Sequence, residues 1–367
     1  MLKPIKCLPC SPALMACRHL QVLLVTWLCD ATVAATDITK DNLRLRMSTQ
    51  VETNWLWRFL GRDESSDPLL DRAQAIAAMP PTEKVVLLAW LQSVVELKAQ
   101  FKPSPPAWPR TRPAIPEAPW IAFKELMEAF YEKGLKSKSG LPYASDGTPV
   151  SSGGVTYAQF ILEFRMVHRL SQIVGARDVC VLCGGFLGQT PEVDHWLAKS
   201  AYPILSVCAD NLLPICRDCN SKTNKGDKPV HKNGSFAAWF HPYLRPGFGA
   251  LQLRYDLPTF AVTCAALALD DAPRVTNLDK LLNLTQRWTR EFKAEYAKQQ
   301  GTLVRDQMRR DIQGRPRLTR EDVESLITKF ADSLLESEPH YEVHSLLLDA
   351  LQQKARLAAW QAELGLM

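Results

Sequence analysis

Apolar positions recur at helical spacing through most of the chain, which predicts a mainly α-helical protein. Residues 53–100 read as two helices, "LLDRAQAIAAM" at 69–79 and "PTEKVVLLAWLQSVVELKAQ" at 81–100. Thr82 is the expected N-cap of the second. "FKPSPPAWPRTRPAIPEAPW" at 101–120 holds seven prolines; proline fixes φ and lacks an N–H, so an extended linker is expected. A short helix, "WIAFKELMEAFYEKG", and a polar loop rich in Gly and Ser follow. "TYAQFILEFRMVHRLSQIVG" predicts an amphipathic helix with Phe160, Ile161, Phe164, Val167 and Val174 on one face. His168 lies near that face and reads as a packing residue. "LQLRYDLPTFAVTC" at 251–264 predicts strands, and from 276 onward the pattern is helical. It breaks at "GRP", 314–316, and resumes with a start signal at Thr319.

The first 46 residues stand apart. Lys3, Lys6 and Arg18 precede the apolar run "VLLVTWLC" at 22–29, and "ATVAAT" follows. This imitates a secretory signal, and the run is too short to span a bilayer. The other reading is a true start at Met47, where "MSTQVETNWLWRFLG" looks like the opening of a domain. On either reading 1–46 is left out of the expected fold. The organisation expected beyond it is a helical region at 47–100, the linker at 101–120, and helices with a polar loop at 121–174. A site-bearing domain at 175–250 and a mainly helical region at 251–367 complete it.

Net charge is +5, from 44 Lys and Arg against 39 Asp and Glu. That is mildly basic and selects no partner. The ten cysteines are more informative. Cys180 and Cys183 form one C-x-x-C pair, and Cys216 and Cys219 form another. Two such pairs can offer four thiolates to one tetrahedral zinc, a closed structural site. Such a site leaves no position open for chemistry, which frees Asp194 and His195, both inside the gap between the pairs.

"DHWLAKSAYP", "NLLPICRDCN" and "FHPYLRP" together resemble the zinc-bearing, four-cysteine members of the HNH (ββα-metal) endonuclease family. The resemblance covers about 177–245. Ala198 departs from the usual proline, and Asn220 stands where many members carry a histidine. The resemblance implies an α+β protein, with a small ββα-metal core and its structural Zn²⁺ embedded in a mainly helical chain. It implies that His195 acts as general base on a water, that Asp194 and Asn220 hold a catalytic Mg²⁺ or Mn²⁺, and that Asn211 fixes the loop around His195. It also implies DNA as substrate, 5′-phosphate and 3′-hydroxyl ends, a role against foreign DNA, and a bacterial cytoplasmic setting. Secretion would apply only if the N-terminal segment is a true signal. The residue types suit the chemistry, since histidine titrates near neutrality and a hard ion prefers oxygen ligands.

Lys222, Lys225, Lys228 and Lys232 either contact DNA phosphates beside the cut or form a solvated face. His241 is expected to pack or cap a turn, and His231 to sit in a solvated loop or to touch phosphate. Residues 286–317 carry nine basic and four acidic side chains, net +5; residues 318–367 carry four and nine, net −5. These two stretches either track a DNA backbone or pair with each other. The terminal helices offer surfaces for a protein partner, and no membrane partner is expected. The rivals are a zinc module that binds nucleic acid or protein without catalysis, and a nuclease active only with a partner protein.

Overall fold

The apolar run near the N-terminus is a core helix. In a computed structural model, which describes residues 2–61, 68–109, 112–173, 176–256 and 258–363, α1 spans Ser11–Leu28. Its buried positions include Leu14, Cys17, Leu20, Gln21, Leu24 and Leu28, a stripe at helical spacing. Leaving 1–46 out of the fold is therefore corrected: α1 packs on α4 and on the turns at Pro203–Leu205 and Ala209–Asn211.

Five more helices complete this half: α2 Lys40–Arg44, α3 Gln50–Leu60, α4 Leu69–Ala77, α5 Pro81–Val95 and α6 Glu117–Ala129. In α3, Thr49 and Glu52 form a reciprocal capping box. Thr82 does not cap α5; Pro80 takes that place and Pro81 opens the first turn. A proline at N1 loses nothing, because that N–H has no partner inside the helix. The proline-rich 101–120 segment is not a free spacer. Trp108 is buried, 5.3 Å from the rings of both Tyr202 and Phe236, and the Tyr202 hydroxyl donates to the Pro109 carbonyl at 3.1 Å. The amphipathic helix α7 spans Tyr157–His168, shorter than expected, because Arg169 turns extended; Val174 lies outside the described residues. His168 packs as anticipated, stacked on Phe164 and accepting from the Lys6 N–H at 3.0 Å.

Strand β1 (Glu192–His195) pairs antiparallel with β2 (Leu212–Ile215), and the one-turn helix α8 (Arg217–Asn220) follows directly. The hairpin β3 (Leu251–Asp256) and β4 (Ala261–Ala266) forms a second two-stranded sheet. The helices α9 (Ala272–Leu282), α10 (Leu284–Ile312), α11 (Arg320–Ser333), α12 (Tyr341–Leu351) and α13 (Lys354–Glu363) complete the chain. α10 packs on β4 and α12, and Thr319 caps α11 as its sequence predicts. The protein is thus α+β, mainly helical, with two small antiparallel sheets. Among the described residues no helix is long and apolar enough to cross a membrane.

Candidate metal centre and adjoining pocket

Cys180, Cys183, Cys216 and Cys219 converge into one buried cluster with all ligand atoms within 4.8 Å of one another. Zinc–sulfur bonds of about 2.3 Å at tetrahedral angles put sulfurs about 3.8 Å apart, and the Cys183 and Cys216 sulfurs are 3.8 Å apart. The donor set fits a metal such as zinc. Each pair sits in a tight knuckle whose amide points at sulfur: Gly185 N–H to Cys183 Sγ at 3.4 Å, and Cys219 N–H to Cys216 Sγ at 3.4 Å. Gly184 turns the first knuckle at φ +73°, where a Cβ would lie 2.9 Å from the Glu342 carboxylate. The thiol proton of Cys216 is pulled well down by hydrogen bonds from Cys180, Cys183 and Cys219.

Arg287, on α10, was not foreseen here. Its guanidinium donates to Cys219 Sγ at 3.3 Å, Cys183 Sγ at 3.4 Å and Cys216 Sγ at 3.9 Å. It would offset the negative charge that four thiolates leave around a bound dication. The neighbouring Trp288 indole donates to the Cys183 carbonyl at 3.0 Å. The cysteines it meets lie 68 to 104 residues away in sequence, so no local signal marks it.

Beside the cluster, β1 and the end of α8 border a pocket of about 400 Å³, lined among others by Tyr131, Asp194, His195, Asn220 and Lys222. His195 Nε2 lies 2.9 Å from the Ser206 carbonyl. A carbonyl only accepts, so Nε2 carries the proton and Nδ1 keeps its lone pair. The Tyr131 ring packs edge-on against His195, 4.6 Å between centroids. Burial pushes the His195 imidazolium down to about 3, so the ring is neutral. Ser206 is fixed in turn: its hydroxyl donates to the Met127 carbonyl at 2.6 Å, and Gln21 of α1 donates to Ser206 Oγ at 3.2 Å. The N-terminal helix thus reaches His195 through one intermediary.

Asn211 holds the loop after β1. Its Oδ1 accepts from the Leu197 N–H at 2.7 Å, and its Nδ2 donates to the carbonyls of Leu197 at 3.0 Å and Leu205 at 3.2 Å. Asn220 Nδ2 donates to Glu192 at 2.7 Å, which turns its Oδ1 into the free end. Asp194 Oδ2 is buried and has no hydrogen-bond partner. Burial pushes the Asp194 carboxyl up to about 6, against the pull of Lys225. An orphaned carboxylate oxygen and an amide oxygen lining one pocket fit a hard cation that completes its shell with water.

Lys225 departs from the expectation of a phosphate contact. Its side chain is fully buried, and the ammonium lies 3.6 Å from Asp194 Oδ1 while donating to the carbonyls of Gly226 at 3.0 Å and His195 at 3.3 Å. Lys222 is exposed on the pocket rim. Lys228 donates to the Thr223 carbonyl at the surface. His231 is not in a solvated loop; its Nε2 pairs with the Tyr202 hydroxyl at 2.8 Å. His241 caps a turn, its Nδ1 accepting from the N–H groups of Tyr243 and Leu244, both at 3.3 Å.

No protein-family model matches the chain, and no solved structure matches it. Over 130 residues it is 33% identical to "Protein ea31" of Escherichia phage lambda, covering 32% of this chain and 42% of that protein. The chain therefore spans less than half the length of this curated relative.

Proposed function

We propose that the chain is a metal-dependent endonuclease of the HNH kind that hydrolyses phosphodiester bonds in DNA. The observation that carries this reading is that Asp194, His195 and Asn220 line one pocket on a β–β–α unit tied to a buried four-cysteine cluster. The neutral His195, with Nε2 anchored on Ser206, presents Nδ1 as the atom that takes a proton from water. An imidazolium forming there is stabilised by the anionic phosphate it faces. Asn211 keeps the loop between Trp196 and Leu205 from shifting the base. Asp194 and Asn220 would hold a divalent ion, which when bound would compensate charge on the phosphate and the departing 3′-oxygen. A zinc held by the four thiolates is closed and serves to tie α8 to the segment that precedes β1.

A plasmid-nicking assay with and without Mg²⁺ tests this. His195→Ala should lower the cleavage rate by about 10²–10⁴ while zinc content stays at the parent value and a cooperative melt shows the variant folded. Cleavage at parental speed by the purified variant would refute the assignment. One observation favours a second reading, a zinc module that binds nucleic acid without cutting it: the Lys225 ammonium already faces Asp194. Binding with no Mg²⁺-dependent nicking by the unsubstituted protein would establish that one instead.

A further inference from the structure

The pocket beside His195 is neutralised from within. Lys225 cannot leave: it is 0% exposed, and its ammonium is held by two backbone carbonyls, with Asp194 Oδ1 at 3.6 Å and the Trp196 ring 5.8 Å away. A buried ammonium is tolerated only when its donors are satisfied and a counter-charge is near, and both conditions hold here. The other lining charges balance too. Glu132 is paired with Lys136 at 2.8 Å and with Lys199. Glu192, Asp227 and Lys222 also line the pocket. Four carboxylates thus meet four ammonium groups, counting Lys225 beneath the floor.

A dication entering a balanced site leaves it two charges in excess, and the fixed Lys225 repels it. A phosphodiester entering with the dication brings negative charge and reduces that excess. We propose that Lys225 is an internal counter-ion that keeps the pocket's affinity for divalent cations low until a phosphodiester is present, so that cation and DNA bind cooperatively. The inference rests on the nuclease reading above and adds to it a coupling between its two ligands. Coupling of this kind is reciprocal: the cation tightens DNA by the factor by which DNA tightens the cation. Lys225 acts as a positioning and charge-setting residue, touching Asp194 and the His195 backbone rather than substrate.

The probe is Mn²⁺, its free fraction read by electron paramagnetic resonance, in a His195→Ala background so that a short DNA duplex stays intact. The duplex should lower the Mn²⁺ Kd by between about 5- and 150-fold. Adding Lys225→Gln, which keeps a donor for the carbonyls and removes the charge, should tighten Mn²⁺ binding without DNA by about tenfold and shrink the effect of the duplex accordingly. Zinc content and melting temperature verify the fold of the variant. A duplex that leaves Mn²⁺ affinity unchanged overturns the proposal with Lys225 in place, so the test survives a variant that fails to fold. A folded Lys225→Gln protein with equal or weaker Mn²⁺ affinity overturns it as well. Absence of Mn²⁺ binding with or without duplex, or Mn²⁺ binding indifferent to Asp194→Ala, would overturn the nuclease reading and this inference with it.

Discussion

His241 is fully buried, and burial pushes its imidazolium down to about 3. Its ordinary value is near 6.5, so between those limits the unfolded chain binds a proton that the folded one refuses. Stability should therefore fall as pH drops from about 6.5 toward about 3, by about 1.4 kcal/mol per pH unit for this proton. Asp194, pushed up to about 6, works in the opposite direction, so the measurement is a difference. His241→Asn keeps an acceptor for the two backbone N–H groups and removes the titration. Denaturant melts between pH 6.5 and 4.5 should show a shallower acid slope for the variant; equal slopes would mean that His241 does not titrate on unfolding. At this scale the cysteine pairs were legible from spacing, and the roles of Asp194, His195 and Asn220 were expected from the family resemblance. Their partners were not: Gln21, Ser206 and Arg287 lie far from the motif in sequence, and Lys225 looked like one basic residue among several until burial separated it from Lys222.

The knuckles, β1, β2 and α8 depend on one another through the cysteine cluster. Cys216 caps α8 and closes the cluster, so its loss acts on both. Cys216→Ser should release zinc, since structural-zinc binding energies are on the order of 10 kcal/mol. Melting temperature should fall, and amide exchange should quicken around 284–290, where Arg287 and Trp288 grip the cysteines. A variant with stoichiometric zinc and an unchanged melting temperature would eliminate the four-cysteine site. The elements themselves were largely readable, because a hairpin at 251–266 and a start at Thr319 are set by local pattern. The expected Thr82 cap failed because the Pro80–Pro81 pair, with φ already fixed for the turn, starts α5 two residues earlier.

Across the molecule, the opposite charges of 286–317 and 318–367 are used in part. Arg310 of α10 meets Asp322 of α11 at 3.1 Å, whereas Arg305 and Arg309 are exposed along the same helix and line a cleft with Lys329. The two readings of this basic stretch therefore belong to different residues. Arg310→Ala should lower the melting temperature by on the order of 1 °C, as expected for a half-exposed pair, and leave the salt dependence of DNA binding alone. Arg305→Ala with Arg309→Ala should leave the melting point and flatten that dependence by about one unit of slope per lost phosphate contact. An unchanged slope in the double variant would remove α10 from the proposed DNA track.

By itself the sequence determined the helical bulk and the pairing of the two C-x-x-C motifs, which periodicity and spacing within a short stretch carry. The candidate triad of Asp194, His195 and Asn220 came from the family resemblance of its motifs. Tertiary structure alone decided that residues 11–28 pack as a helix against α4 and the turns after β1, since an apolar run of that length carries no record of what it packs against. It alone placed Gln21 behind Ser206, Arg287 over the thiolates and Lys225 beneath Asp194. Those contacts join residues tens to hundreds of positions apart, or hinge on which way one side chain turns at a loop, and neither is written in local pattern.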